Sequence, residues 1–233
     1  MLNKQEEDMP SRLIVAGTDT NVGKTIVSSL LVAKLNAHYW KPVQCGELDT
    51  GGDSATIKKL TGIKENRIIP EAYKLKLAAS PNQAAEAEGI TIENDKLKLP
   101  NHDGALVIEL AGGLMVPLRD NWLQIDQIKE WDLPVVLVAR SGLGTLNHTL
   151  LSLEAMEKRS IRVHAIILNG EKHKENYKTL LNIVNPNIKI EEIIKKYEFC
   201  KYEQEQKKMD KPTQRPGLDC IMPPSANIEV AVM

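Results

Sequence analysis

This sequence of 233 residues has few cysteines and few aromatic residues, a net charge of only −1 and no long apolar run. The three cysteines, at positions 45, 200 and 220, form no Cys-x-x-Cys pair, so they indicate neither a disulfide framework nor a zinc site. A balance of 30 Lys and Arg against 31 Asp and Glu gives no electrostatic footprint for nucleic acid or for an anionic membrane. No apolar run approaches the roughly 20 residues that span a bilayer.

What remains is the composition of a soluble globular protein, with 42% hydrophobic and 26% charged residues. One Phe, three Trp and five Tyr require a core that is built mainly from aliphatic side chains. The first ten residues are charged and lack the apolar segment of a signal peptide. We therefore expect a reduced, cytoplasmic protein with a single domain over residues 1–233, and neither a nucleic-acid nor a membrane partner.

The order of apolar runs and amphipathic stretches predicts the fold class. Nearly continuous apolar runs at residues 105–110, 134–139 and 163–168 predict strands that are buried on both faces. Shorter strands are expected at 13–16 and 39–43, and helices at about 24–37, from about 53 to 62, after the Ser-Pro pair at 80–81, at 145–158 and at 174–184. This alternation predicts an α/β fold with a doubly wound, mostly parallel sheet flanked by helices. The mixed-charge stretch at 190–211 is compatible with a solvated helix, and the Pro-rich tail after it with irregular structure.

The strongest motif is GTDTNVGKT at residues 17–25, between a predicted strand and a predicted helix. Backbone N–H groups and a helix N-terminus in that context face an anion. Lys24 would reach the β- and γ-phosphates of a nucleotide, and the Thr25 hydroxyl would coordinate Mg²⁺. The pattern G-x-x-x-x-G-K-[ST] is missed at one place, because Thr18 stands where its first glycine belongs. The flanking strand and helix nevertheless predict a phosphate-binding loop.

Together with this loop, four further segments make the chain resemble the dethiobiotin synthetase family. They are KPV at residues 41–43, ELAGG at 109–113, LPVVLV at 133–138 and LGTLNH at 143–148, in the family's order. The loop, with five residues between its glycines, is similar to the family's own variant. The resemblance covers about residues 12–185 and implies a P-loop NTPase-like fold.

The resemblance implies an ATP- and Mg²⁺-dependent ligase of biotin biosynthesis that closes a ureido ring. CO₂, or bicarbonate as its source, would convert an amine of 7,8-diaminopelargonate to a carbamate. ATP would phosphorylate the carbamate to a carbamic-phosphoric anhydride, and the second amine would close the ring of dethiobiotin. The implied catalytic residues are Lys41, Lys24 and Thr20, and the two lysines would neutralise the developing charge. On the residues alone, a solvated lysine at a strand end is the simpler interpretation of Lys41.

The candidate Mg²⁺ ligands are Thr25, Asp53 and Glu109, since hydroxyl and carboxylate oxygens are the ligands that Mg²⁺ prefers. Glu109 ends an apolar strand before a predicted turn at the glycine pair 112–113, where an α/β sheet presents its site residues. Asp53 resembles the family's metal-binding Asp but fits a helix N-cap equally well. Asp49 is an alternative ligand, because the loop that contains it is shorter than in typical members.

The resemblance also implies which residues bind the nucleotide and the substrate. The implied nucleotide-binding residues are Asn21, Val22, Gly23, Lys24, Thr25, Ile26, Asp53, Glu109, Leu110, Ala111, Gly112 and Asn169. The implied substrate-binding residues are Cys45, Gly144, Thr145, Asn147 and Tyr177. The turn at 144–147 would hold the carboxylate tail of the substrate across the interface of a homodimer. Asn169 would read the adenine, although a turn residue is an equal interpretation, and Tyr177 equally fits a packing residue.

Departures from the family pattern leave two other functions open. Cys45 stands where the family usually has Ser, Leu110 replaces a Gly, and the tail lacks a clear Gly-x-Ile-Pro loop. A degenerate member that binds nucleotide and turns over poorly would fit these changes. A dimeric ATP-switch protein of the partitioning or septum-site type shares the fold, but its usual Lys-Gly-Gly-x-Gly-Lys-Thr loop is absent, since Thr18 and Asp19 stand there.

Overall fold

Successive residues of the first apolar run are buried on opposite faces of a sheet. The computed structural model describes residues 9–194, and in it Leu13 and Val15 join one apolar cluster, whereas Ile14 and Ala16 join another. All four side chains are fully buried. A strand that is covered on both faces belongs in the middle of an α/β sandwich, which confirms the predicted fold class.

Eleven strands and six α-helices are found within the described residues. The strands are β1 Arg12–Gly17, β2 His38–Trp40, β3 Val43–Cys45, β4 Ile68–Ile69, β5 Tyr73–Leu75, β6 Leu106–Gly113, β7 Pro117–Arg119, β8 Trp122–Leu123, β9 Val135–Arg140, β10 Val163–Gly170 and β11 Lys189–Ile194. The α-helices are α1 Lys24–Leu35, α2 Gly52–Thr61, α3 Pro81–Ala87, α4 Gln124–Trp131, α5 Thr145–Glu157 and α6 Lys174–Ile183. Short 3₁₀ helices lie at Leu48–Thr50, Glu65–Arg67 and Asn94–Leu97.

Seven strands form the central sheet in the order β11-β10-β9-β1-β6-β2-β4, and all neighbouring pairs are parallel. The first strand therefore lies in the middle, between β6 and β9. The carboxyl ends of β1, β6 and β2 meet at one edge of the sheet, which is where α/β proteins bind their ligands. Two smaller pairs, the parallel β3–β5 and the antiparallel β7–β8, lie outside this sheet.

Helices cover both faces of the sheet. On one face, Val27 of α1 and Ile57 of α2 belong to the cluster that contains Val15. On the other face, α4, α5 and α6 contribute Ile125, Met156 and Leu180 to the second cluster. Both clusters are mainly aliphatic, as the scarcity of aromatic residues requires. No helix within residues 9–194 is long and apolar enough to cross a membrane.

The pairing between β1 and β6 contains an irregularity at its carboxyl end. Val15 pairs with Glu109, but Gly17 pairs with Gly113, so β6 uses two more residues than β1 over this interval. The segment between Glu109 and Gly113 is thus a bulge within the strand, and bulges redirect side chains next to functional sites. The prediction of a turn at 112–113 is wrong, since β6 continues to Gly113.

Two further predictions need correction. The strand predicted at 39–43 is two strands, because β2 ends before Lys41-Pro42 and Pro42 has no N–H for a ladder. The solvated helix predicted at 190–211 is wrong at its beginning, where Lys189–Ile194 pairs with β10. This edge strand buries Ile190 and leaves charged side chains at the rim, so its mixed charge does not prevent pairing. Residues 195–233, with the rest of the predicted helix and tail, lie outside the described residues.

Candidate functional site

The loop of residues 18–23 joins the end of β1 to the beginning of α1 at the ligand-binding edge of the sheet. Gly23 has a φ of +100°, and a Cβ there would lie 2.0 Å from Nδ2 of Asn169, so only glycine fits. Lys24 is buried, and its Nζ donates a hydrogen bond to the carbonyl oxygen of Asp19 at 3.0 Å. The lysine is therefore folded back over the loop, and its binding of phosphate stays a prediction.

Beside this loop, four side chains from different segments of the chain form one cluster of hydrogen bonds and ion pairs. Oγ1 of Thr25 lies 2.9 Å from Oδ1 of Asp53 and 2.9 Å from Oε1 of Glu109. Nζ of Lys41 lies 2.6 Å from Oδ2 of Asp53 and 3.2 Å from Oε1 of Glu109. A hydroxyl has one proton, so Thr25 can donate a hydrogen bond to only one of the two carboxylates at a time. We call these four residues the carboxylate–lysine cluster.

Strand order explains why residues so far apart in the sequence meet. Glu109 lies on β6, between the central β1 and β2, and Lys41 follows the last residue of β2. Thr25 and Asp53 lie in the first turns of α1 and α2, and those helices pack on the same face of the sheet. Nζ of Lys41 also donates to the carbonyl oxygen of Leu110 at 3.0 Å, which ties it to the bulge of β6.

The electrostatics of the cluster keep Lys41 and Asp53 charged. Burial disfavours the charged form of Lys41, but Glu109 and then Asp53 outweigh it, so the pKa of Lys41 lies above its ordinary value. Burial likewise opposes ionisation of Asp53, but the Lys41 ammonium overcomes it and lowers the pKa of that carboxyl. Lys24 differs: burial, reinforced by the positive charge of Lys41, lowers its pKa to about 8.

The cluster presents the oxygen atoms that a magnesium ion takes. Mg²⁺ in phosphate-binding sites uses one or two carboxylates, a hydroxyl and oxygens of the substrate phosphates. The Thr25 hydroxyl, Asp53 and Glu109 converge within hydrogen-bond distance and meet that requirement. Of the two aspartates that the sequence leaves open, Asp53 contacts Thr25, whereas Asp49 is exposed in the 3₁₀ helix Leu48–Thr50. Within residues 9–194, no three His, Cys, Asp or Glu residues form a metal site by themselves.

The remaining candidate nucleotide contacts surround the loop. Asn21 and Val22 lie in the loop, Ile26 lies on α1, and Leu110, Ala111 and Gly112 lie in the bulge of β6. Asn169, near the end of β10, donates from Nδ2 to the carbonyl oxygen of Val22 at 2.9 Å. Thr20 is exposed, and Nη2 of Arg140 donates to its carbonyl oxygen at 3.2 Å. Asn169 therefore braces the loop, while its reading of adenine stays a prediction.

The candidate substrate residues are divided between two places. Cys45, at the end of β3, is half-buried, and burial raises the pKa of its thiol to about 11, so it is a neutral group at ordinary pH. Gly144 and Thr145 begin α5, where Thr145 is buried and Asn147 is exposed. Within the described residues, no hydrogen bond or ion pair of the carboxylate–lysine cluster involves this turn. The contact of Asn147 with the substrate, from a second subunit, stays a prediction.

Tyr177 has a partner within the fold. Its hydroxyl donates to the carbonyl oxygen of Ile190 at 3.4 Å, which ties α6 to β11, and its ring packs against the apolar core. A role of Tyr177 in substrate binding stays a prediction.

Two polar residues at the site were not predicted. Oε1 of Gln44, which is buried, accepts from the backbone N–H of Asp53 at 3.2 Å and so fixes the beginning of α2. The side chain of Gln124, also buried, bonds to both backbone groups of Ala111 and to the carbonyl oxygen of Gly113. These side-chain hydrogen bonds take the place of the backbone hydrogen bonds that a neighbouring strand would make to the bulge of β6. A polar residue next to Lys-Pro-Val could have drawn attention to Gln44, whereas no local pattern points to Gln124.

Comparison with known proteins places the chain among curated sequences of one name. A family model described as "AAA domain" matches residues 11–194. A protein of Rhodopseudomonas palustris named ATP-dependent dethiobiotin synthetase BioD is 49% identical over 168 residues, which are 72% of this chain and 80% of that protein. A protein of the same name from Bradyrhizobium diazoefficiens is 49% identical over 176 residues, 75% of this chain and 83% of that one.

A solved structure shares the fold at much lower sequence similarity. It is a putative plasmid partition protein of Borrelia burgdorferi bound to AMPPNP, with a TM-score of 0.51 and 12% sequence identity. The match covers 85% of this chain and 90% of that one. Because the identity is so low, this likeness supports the shared α/β architecture and does not favour the partitioning function.

Proposed function

The chain belongs to the family of ATP-dependent dethiobiotin synthetases, and from that premise we propose that the carboxylate–lysine cluster is the centre at which it closes a ureido ring with ATP and Mg²⁺. As a member of this family it is an ATP-dependent ligase. The observation that carries the proposal is that Lys41, Thr25, Asp53 and Glu109 converge beside the phosphate loop. The proposed substrates are 7,8-diaminopelargonate, CO₂ or bicarbonate, and ATP.

The chemistry consists of two displacements. After CO₂ has joined one amine as a carbamate, a carbamate oxygen attacks the γ-phosphorus, the bond from that phosphorus to the β-γ bridging oxygen breaks, and ADP leaves. The second amine then attacks the carbonyl carbon of the anhydride, loses a proton, and phosphate leaves as the ring closes. The protein supplies position and charge neutralisation rather than a covalent partner.

The two lysines would act at different groups in this reaction. Lys24 lies over the loop, where the β- and γ-phosphates would bind. Lys41 stays cationic because of its carboxylate neighbours, and it can hold the carbamate oxygen and the phosphoryl group that reaches it. Thr20, which is exposed in the loop, would be a polar contact for the transferred group.

Thr25, Asp53 and Glu109 would hold the magnesium ion. When bound, the ion polarises the phosphate oxygens and neutralises the charge that develops as ADP leaves. Asp53 and Glu109 contribute by giving up part of their pairing with Lys41, which leaves the ammonium group to the substrate. This exchange of partners accounts for a lysine placed between two carboxylates in a site that must bind anions.

The substrate tail would be held by a second subunit of a homodimer, through Gly144, Thr145 and Asn147. Leu143, at the tip of this turn, is fully exposed, and Leu151 on α5 is more than half exposed. Exposed apolar side chains beside an exposed polar turn suit a surface that another subunit covers. The N–H groups at a helix N-terminus suit a carboxylate.

The function is tested by the dependence of ADP release on substrate. We expect ADP release with Mg²⁺ and bicarbonate only when 7,8-diaminopelargonate is present, together with stoichiometric dethiobiotin detected by mass spectrometry. ADP release that does not need the diamine would support the ATP-switch function instead. Nucleotide binding without any turnover would indicate the degenerate family member that the departures at Cys45 and Leu110 left open.

Mixing two defective variants tests the shared site. In the proposed dimer each site takes Lys41 from one subunit and Asn147 from the other. Lys41→Ala and Asn147→Ala should each be impaired alone, Lys41→Ala more severely. After subunit exchange, about half of the dimers are mixed, and each mixed dimer has one doubly defective and one intact site, so about a quarter of all sites become wild type. The measurement is turnover before and after exchange, at low diamine concentration.

The matched control mixes Lys41→Ala with Lys24→Ala. Both residues belong to the same subunit's site, so their mixed dimers contain no intact site and should gain no activity. Turnover of the Lys41→Ala and Asn147→Ala mixture that stays at the mean of the two variants, after exchange has been verified by mass spectrometry, would contradict the shared site.

A further inference from the structure

Tyr39 is a fully buried tyrosine on β2 whose hydroxyl reaches the carboxylate–lysine cluster. Its ring packs among aliphatic side chains on the face of the sheet that α1 and α2 cover. Its only polar side-chain atom, Oη, donates a hydrogen bond to Oε2 of Glu109 at 3.0 Å. The hydroxyl of Tyr39 lies close to Glu109 because β2 and β6 are neighbouring strands. Tyr39 pairs with Val107, two residues before Glu109.

The two oxygens of Glu109 are used for different purposes. Oε1 faces Thr25 and Lys41, on the side of the phosphate loop. Oε2 faces the interior of the sheet layer, where Tyr39 meets it. The last torsion of a glutamate side chain is broad and roughly two-fold, so a carboxylate with one free oxygen can turn. A donor on Oε2 removes that freedom and leaves Oε1 aimed at the site.

From this geometry we infer that Tyr39 is a positioning residue, which holds the Glu109 carboxylate in the orientation that presents Oε1 to the divalent cation. The inference deepens the proposed function, since it assumes that Glu109 is a metal ligand. Nothing in the motifs of the sequence marks this residue, which lies within an apolar strand.

The test replaces Tyr39 by phenylalanine, which keeps the ring and removes the donor. Hydrogen bonds to charged groups contribute enough for the loss of this one to weaken cation binding by about tenfold. We expect that weakening for Mn²⁺ in the presence of a non-hydrolysable ATP analogue, measured by electron paramagnetic resonance of free Mn²⁺. At saturating Mg²⁺ the KM for ATP should stay within about twofold, while the Mg²⁺ concentration for half-maximal turnover rises about tenfold.

Tyr73→Phe is the matched control. Tyr73 is also buried, and its hydroxyl donates to the carbonyl oxygen of Thr91 and accepts from the N–H of Glu93 at 2.8 Å, outside the cluster. Tyr73→Phe should lower the melting temperature and leave Mn²⁺ binding unchanged. A Tyr39→Phe protein that loses stability in the same way, with Mn²⁺ binding unchanged, would overturn the inference.

Glu109→Gln separates failure of this inference from failure of the proposed metal site. If Glu109→Gln leaves Mn²⁺ binding intact, Glu109 is not a ligand and both statements are wrong. If Glu109→Gln weakens binding but Tyr39→Phe does not, only the role of Tyr39 is wrong. In the double variant, we expect no further weakening from Tyr39→Phe, since its effect passes through the carboxylate. If Tyr39→Phe alone does not fold because it leaves a buried charge without its donor, the double variant avoids that cost, since residue 109 is then uncharged. Weaker Mn²⁺ binding by the double variant than by Glu109→Gln would contradict the inference.

Discussion

Lys24→Ala is expected to lower ATP binding and turnover by roughly 10³-fold or more, with no loss of folded protein. No other side chain of the loop carries a positive charge to the β- and γ-phosphates, and one such contact in a buried site accounts for a factor of this order. Burial lowers the pKa of Lys24 to about 8, so its protonated form lowers the stability of the folded protein. Calorimetric titration of ATP and the melting temperature measure the two effects.

Lys34→Ala is the control for this experiment, since it removes an exposed lysine from the last turn of the same helix. It should leave ATP binding unchanged. A Lys24→Ala protein that binds ATP almost as well as the wild type would contradict the assignment of the phosphate loop.

The pH dependence of the wild-type protein should follow from the same lysine. Its pKa in the free protein is lowered to about 8, so Lys24 is cationic below that pH and becomes neutral as pH rises through it. The kcat/KM for ATP reports the free protein, and it should therefore fall above about pH 8. The effect on the free energy of unfolding has the opposite sign. Below about pH 8 the charged, buried Lys24 destabilises the folded protein, and this destabilisation is lost as pH rises from about 8 to the ordinary pKa of a lysine.

The sequence predicts well the parts of this molecule that depend on local pattern. Continuous apolar runs predict buried parallel strands, because a strand covered on both faces has no polar side. The loop motif and the helix after it are consecutive in the chain, so their geometry follows from about ten residues. The helices α1, α2, α3, α5 and α6 are found where they were predicted, with bounds that differ by at most two residues where both ends were predicted.

The parts that were missed depend on contacts between distant residues. The contact of Tyr39 with Glu109 requires knowing that β2 lies beside β6, which no single segment reveals. The bulge in β6 follows from its register with β1, and the role of Gln124 follows from the bulge. For β11, the mixed charge resembles that of a solvated helix, and only its position at the edge of the sheet makes a strand acceptable. The choice of Asp53 over Asp49 as the residue beside Thr25 likewise needs the packing of α2.

Glu109→Gln is expected to lower Mg²⁺-dependent turnover by about 100-fold while the protein still folds. The carboxylate is 1% exposed and accepts from Tyr39, Thr25 and Lys41. Glutamine keeps its shape but removes one of the two negative charges that face the cation. It also leaves Lys41 with Asp53 as its only carboxylate partner, so the pKa of Lys41 should fall. Turnover is measured across a Mg²⁺ titration, and stability by thermal unfolding.

Glu71→Gln distinguishes a metal ligand from a merely buried carboxylate. The Glu71 side chain is 5% exposed, accepts from the Ser54 hydroxyl and pairs with Lys74 at 3.2 Å, outside the cluster. Both substitutions remove a buried, paired charge, so both should lower the melting temperature by breaking hydrogen bonds to a carboxylate. Only Glu109→Gln should shift the Mg²⁺ dependence, because of these two glutamates only Glu109 contacts the Thr25 hydroxyl and Lys41. Equal loss of stability in the two variants, with the Mg²⁺ response of Glu109→Gln unchanged, would make Glu109 a structural partner of Lys41 and leave Asp53 and Thr25 to hold the cation.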